Sequence, residues 1–73
     1  MSTIKLGLIR SYRETILRPD QMTTGDEIEL ERLDCERSAL RVTMIRRPLR
    51  RRALLARLHE VERAARVIVR RYS

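Results

Sequence analysis

Seventy-three residues with no tryptophan or phenylalanine, one cysteine and a net charge of +7 exclude several classes of protein at once. One domain is the ceiling, and a chain this short buries only about 60–65% of its unfolded surface, so its core holds one layer of aliphatic side chains. Lone Cys35 forms no internal disulfide, and one cysteine with one histidine, His59, is not a metal site.

The alternation of Ile4, Leu6 and Leu8 predicts an extended N-terminal segment with one apolar face over residues 1–9. No other segment alternates well, so this arm either packs on the rest of the chain or adds to the sheet edge of a partner. Residues 8–18 also place Leu8, Ile9, Tyr12, Ile16 and Leu17 on one helical face, and Gly7 is a natural switch between the two readings. Pro19 ends any helix at Leu17 or Arg18 and opens a loop over residues 19–24.

Thr24-Gly25-Asp26-Glu27 reads as a capping box, with the Thr24 hydroxyl accepting the Glu27 amide proton. A first long helix follows over about 25–46, with an apolar stripe of Leu30, Leu33, Leu40 and Met44 interrupted by Arg37. Pro48 breaks the pattern and suits the first position of a second helix over about 49–72. There Leu54, Leu58, Val61, Ala65, Ile68 and Tyr72 repeat at spacings of four and three, widened by Leu55 and Val69.

The expected fold is mainly α, a small single-domain helical protein. Two long helices form an antiparallel hairpin over 24–73, and an extended or helical arm covers 1–23. The competing arrangement is one long helix kinked at Pro48, which exposes both stripes and needs a dimer. The oligomeric state stays open.

Charge is distributed unevenly. Residues 41–73 carry eleven arginines and two glutamates, a net +9, whereas residues 24–40 carry a net −4. The helical hairpin sets some of the acids beside some of the arginines, but the excess falls in two places. One is the RRPLRRR segment at the bend, with Arg46, Arg47, Arg50, Arg51 and Arg52; the other is a stripe of Arg63, Arg66 and Arg70 on one face of the last helix. GC-rich coding is the bland source of so much arginine. The functional reading is a surface for phosphates or acidic side chains, which the planar guanidinium fork suits. Two tyrosines supply no interleaved aromatic platform, so single-strand base reading is not expected. A helix-turn-helix needs a third helix, and a membrane-surface role needs the apolar face already used for the core.

Catalysis finds no constellation. His59 and Glu60 are adjacent on a helix and face apart. Cys35 sits between two acids, Asp34 and Glu36, and has no histidine at a known distance to activate it. We expect Cys35 to be a semi-buried filler, His59 a surface or boundary residue, and the protein to be no enzyme and to use no cofactor. The apolar run Ala53–Ala56 is too short to span a bilayer, and the first residues lack a signal-peptide core. The unpaired thiol fits a reducing cytosol.

The opening MSTIKLGLIRSYRETIL, the chain length and the arginine-rich helical end together resemble the small inhibitors of host RNA polymerase that lytic phages of plant-pathogenic bacteria encode and that also act as antiterminators. The likeness runs over the whole chain and rests on no diagnostic motif, so no residue role is carried over by position. It implies binding to host RNA polymerase at the N-terminal region of the β′ subunit near the RNA exit channel. It further implies inhibited promoter initiation, suppressed intrinsic termination, NusA as a co-partner and action in the cytoplasm of the bacterial host.

Combined with the residue reading, it makes Ile4, Lys5, Leu6, Leu8 and Arg10 the expected polymerase contacts. The arginines at 46, 47, 50, 51, 52, 63, 66 and 70 are the expected contacts to nascent RNA or DNA phosphates, with no small-molecule substrate and no membrane. A stand-alone arginine-rich nucleic-acid-binding protein is the main alternative, and an inhibitor of some other acidic host protein is a third.

Overall fold

The computed structural model describes residues 11–73, and the arm contacts expected at Ile4, Lys5, Leu6, Leu8 and Arg10 lie outside them. Two α-helices dominate the described chain: α1, Thr24–Arg46, and α2, Arg51–Arg71, which pack closely as an antiparallel hairpin. No strand occurs among the described residues.

The start of α1 lies one residue before the expected cap. Thr23 holds an extended backbone, and its Oγ1 accepts the Asp26 amide at 3.1 Å. Thr24 is already helical. The two adjacent threonines each precede an acid at the capping-box spacing, and tertiary contacts decide between them. The Asp26 carboxylate is taken chiefly by Arg71 and Tyr72, and the Glu27 carboxylate pairs with Arg13 at 3.0 Å.

At the other end Pro48 opens not a helix but a 3₁₀ turn, Pro48–Arg50. Arg47 leaves helical geometry ahead of the proline, as the ring requires, and α2 begins three residues later than Pro48.

The heptad stripe of α2 is the core. Leu58, Val61, Ala65, Ile68 and Tyr72 are all buried, and the last four form one cluster with Leu30 and Leu33 of α1 and with Ile16. Leu40, Met44 and Leu54 are half-buried, so packing thins toward the bend.

A third layer comes from residues 11–23, where the helix expected over 8–18 does not form among the described positions. Two 3₁₀ turns, Tyr12–Thr15 and Pro19–Gln21, are present instead, the first closed by the Thr15 hydroxyl donating to the Tyr12 carbonyl at 2.7 Å. The backbone then extends at Ile16, which buries that side chain and leaves Leu17 77% exposed. A helix turns successive side chains by only 100°; an extended strand sends them to opposite faces. One buried anchor beside one exposed neighbour is what the strand delivers. The segment lies as a strap across both helices. The Arg18 amide donates to the Tyr72 carbonyl at 3.0 Å, and its guanidinium donates to the Ser73 carbonyl at 2.7 Å.

Arg37 occupies the gap in the α1 stripe and is itself buried. Its guanidinium carbon lies 4.0 Å from the centroid of the Tyr12 ring, and Nη2 donates to Asp34 at 2.8 Å. The arginine therefore fills an apolar position with its stem and clamps the strap with its head. Burial pushes the Tyr12 phenol above its ordinary pKa, against the opposing charge of Arg37.

We predict that Arg37→Ala costs about 2–3 kcal/mol, since it breaks a shielded pair and removes the ring contact. Arg37→Met refills the same volume and is expected to cost about 1 kcal/mol or less. Urea unfolding followed by far-UV circular dichroism measures both; equal losses would show that charge rather than packing is what the strap needs.

Cys35 is exposed, not the semi-buried filler that the sequence suggests. Two residues beyond buried Leu33, it points about 200° around the helix, away from α2. The helix-turn-helix alternative needs three helices, and the described residues supply two of α type.

Candidate functional site

The ion pairs of the hairpin sort its arginines into two sets. Arg57 is held by Glu36 at 2.6 Å and Glu60 at 3.1 Å, Arg71 by Asp26 at 2.9 Å, and Arg41 by Glu62 at 3.7 Å. On α1, Arg32 is shared by Glu29 and Glu36. These contacts stitch α1 to α2 or staple one turn to the next.

They leave a clear mark on the acids. Glu36 is held below its ordinary pKa chiefly by the Arg57 hydrogen bond, Glu29 by Arg32, and Asp26 by the Tyr72 hydroxyl and then Arg71. Asp26 is the hub of the open end, because the Tyr72 hydroxyl that donates to it also accepts the Thr23 amide at 3.4 Å.

The second set is the one singled out from the sequence. Arg46, Arg47, Arg50, Arg51, Arg52, Arg63, Arg66 and Arg70 are all exposed, and among the described residues none has a carboxylate within 4.0 Å. The acids of the hairpin are spent elsewhere. None occurs between Glu36 and Glu60, so the whole bend is without local compensation.

The bend arginines surround two helix ends of opposite polarity. Arg46 lies in the last turn of α1 and Arg47 caps it, where the carbonyl end of the dipole favours cations. Arg51 and Arg52 begin α2 and Arg50 caps it, at the positive end, with no side-chain cap and no acid in the first turn. Three guanidiniums thus stand where the helix itself favours an anion.

Along α2 the helical repeat adds to the stripe. Spacings of seven, four and three place Arg52, His59, Arg63, Arg66 and Arg70 on one face, opposite the buried stripe. Eighteen residues separate its ends, a run of about 27 Å. Arg52, expected only at the bend, and His59, expected as a surface or boundary residue, join the stripe through a seven-residue spacing that the sequence also carries. Arg66 also borders a groove of about 240 Å³ with Tyr12, Thr15, Glu62 and Val69, so the strap reaches the edge of the cationic face.

Chemically, exposed and permanently charged guanidinium forks are groups suited to holding anions. Among the described residues no group of three or more histidine, cysteine, aspartate or glutamate side chains is arranged to hold a metal ion, and no helix is long and apolar enough to cross a membrane. No family model, curated protein or solved structure matches the chain significantly.

Proposed function

We propose that the protein is a phage transcription regulator that binds host bacterial RNA polymerase at the β′ N-terminal region near the RNA exit channel. In this reading it inhibits promoter initiation and suppresses intrinsic termination in the bacterial cytoplasm, with NusA as a co-partner. The resemblance noted in the sequence names the polymerase. One structural observation supports the reading most: eight exposed arginines lack carboxylate partners among the described residues, on a hairpin whose other α2 arginines are paired.

The proposed division of labour follows from the chemistry. The unpaired guanidiniums hold phosphates of emerging RNA without reading bases, since contacts to phosphate position a nucleic acid and carry no sequence information. The arm residues Ile4, Lys5, Leu6, Leu8 and Arg10 anchor the chain on the enzyme and supply the selectivity that charge alone lacks. A helical body seated at the exit channel also leaves less room for a terminator hairpin to form.

The alternative is a stand-alone nucleic-acid-binding protein, favoured by the length of the α2 stripe. The two separate in a pull-down with tagged full chain from nuclease-treated bacterial lysate. We expect the polymerase subunits, β′ among them, to be retained, and Ile4, Leu6 and Leu8 changed together to alanine to lower the yield. Loss of all polymerase upon nuclease treatment would transfer the assignment to the nucleic-acid reading.

A further inference from the structure

The bend carries more than charge. Leu49 is 100% exposed and Ile45 81% exposed, a poor use of aliphatic side chains in a chain so short of core. Ile45 and half-buried Met44 line a shallow cleft of about 220 Å³ together with Arg41 and Arg51. The Nε of Arg41 is buried and finds no acceptor among the described residues, and its ion pair with Glu62 is long, at 3.7 Å.

We infer that this bend docks a segment of a partner protein in which carboxylates flank an aliphatic side chain. The inference rests on the proposed role of the unpaired arginines as contact groups, and it divides them: the bend faces protein, and the stripe Arg63, Arg66 and Arg70 faces phosphate.

Charge complementarity fixes the sign of the occupant. With no acidic residue between Glu36 and Glu60, only an anionic partner relieves the repulsion among the guanidiniums. A second copy docking bend to bend brings like charge to like charge and is excluded on the same ground. Shape and polarity fix the rest. A nucleic-acid backbone satisfies the arginines but leaves Ile45 and Leu49 against water and sugar. A bilayer presents a flat face and leaves the cleft unfilled. An acidic protein segment seats an aliphatic knob in the cleft while its carboxylates meet the arginines bidentately. Arginine and methionine, both present at this cleft, are also enriched at interface centres, where other charged groups are depleted.

The test uses the full chain and four labelled probes: an amphipathic peptide with glutamate on one face and leucine on the other, polyglutamate of matched length and charge, poly-uridine RNA, and phosphatidylserine vesicles. The parent is expected to bind the amphipathic peptide at least tenfold more tightly than polyglutamate. Leu49→Ser and Ile45→Ser, both at exposed positions, are each expected to weaken the peptide by about tenfold or more, the worth of one buried aliphatic side chain. Binding to poly-uridine should change less than about twofold, and an unchanged unfolding midpoint shows that the fold is kept.

Equal binding of both peptides overturns the inference, as does parallel weakening of peptide and RNA. Vesicles binding more tightly than the peptide and losing affinity in the same variants would make the bend a lipid contact instead. None of these outcomes bears on the polymerase pull-down, which fails or succeeds on its own.

Discussion

Leu30→Ala is expected to remove most of the stability of the chain at room temperature. Leu30 is one of the two largest fully buried side chains, and it shares one core cluster with Ile16 of the strap and Val61, Ala65 and Ile68 of α2. Deleting a packed leucine to alanine costs about 2–5 kcal/mol, because the surroundings collapse only partly into the space. A core of this size stabilises a chain by about 3–5 kcal/mol in total, so one such change consumes most of it.

The reverse error is expected at Ala65, which is 0% exposed: Ala65→Leu has no room and forces the helices apart, at about 1–3 kcal/mol or more. The same chemistry at an exposed position makes the control. Leu17→Ala, at 77% exposure, should fall within about 0.5 kcal/mol of the parent. Far-UV circular dichroism against urea measures all three, and a Leu30→Ala midpoint near that of the parent would show that the stability lies outside this cluster.

The concentration of the core at one end explains what the sequence disclosed. The α2 stripe was legible because its spacing of four and three holds from Leu54 to Tyr72 without a polar interruption, and a helix with one such face needs a partner helix. Pro48 and the short connection then favoured the hairpin over one long kinked helix, and the close packing of α1 on α2 fits the hairpin.

The strap was not legible for the opposite reason. Tyr12, Ile16 and Leu17 do fall on one helical face, but nothing in that spacing shows that Ile16 turns inward and Leu17 outward once α1 and α2 offer a surface to cover. Pairing with the C-terminal end of α2, through Arg18 to the Tyr72 and Ser73 carbonyls, replaces the local hydrogen bonds a helix would have made. Tertiary context overrode a weak local preference.

Arg37 shows the same limit from the other side. Its place in the stripe reads as a flaw until Tyr12 arrives 25 residues away in sequence to stack on it. The site fared better than the strap. The eight unpaired arginines follow from a shortage of carboxylates, which is a matter of counting. The pairing of Arg57 and Arg71 instead depended on how the two helices align.

The bend should be the place where stability and function oppose each other. Arg50, Arg51 and Arg52 crowd the positive end of α2 with no capping side chain and no nearby acid, so each is held there against the helix dipole and against its neighbours. Glutamine is about as good a helix former as arginine, and its substitution removes the charge with little else. At about 0.3–1 kcal/mol per position, Arg50, Arg51 and Arg52 changed together to glutamine are expected to gain about 1–2 kcal/mol at low ionic strength. For a chain of this length that is a rise of roughly 5–10 °C in midpoint. The gain should shrink at about 1 M salt, where charges are screened over about 3 Å.

Arg46 and Arg47 sit at the favourable end of α1, so adding their glutamine changes should return part of the gain. The five-glutamine protein is nevertheless folded, and its inhibition of promoter-dependent transcription by purified bacterial polymerase should fall by tenfold or more, a loss of about 1.4 kcal/mol or greater in binding. Undiminished inhibition by a folded five-glutamine protein would remove the bend from the contact surface. A triple variant less stable than the parent would mean instead that these arginines are held by contacts within the hairpin, and that their exposure is not a readiness to bind.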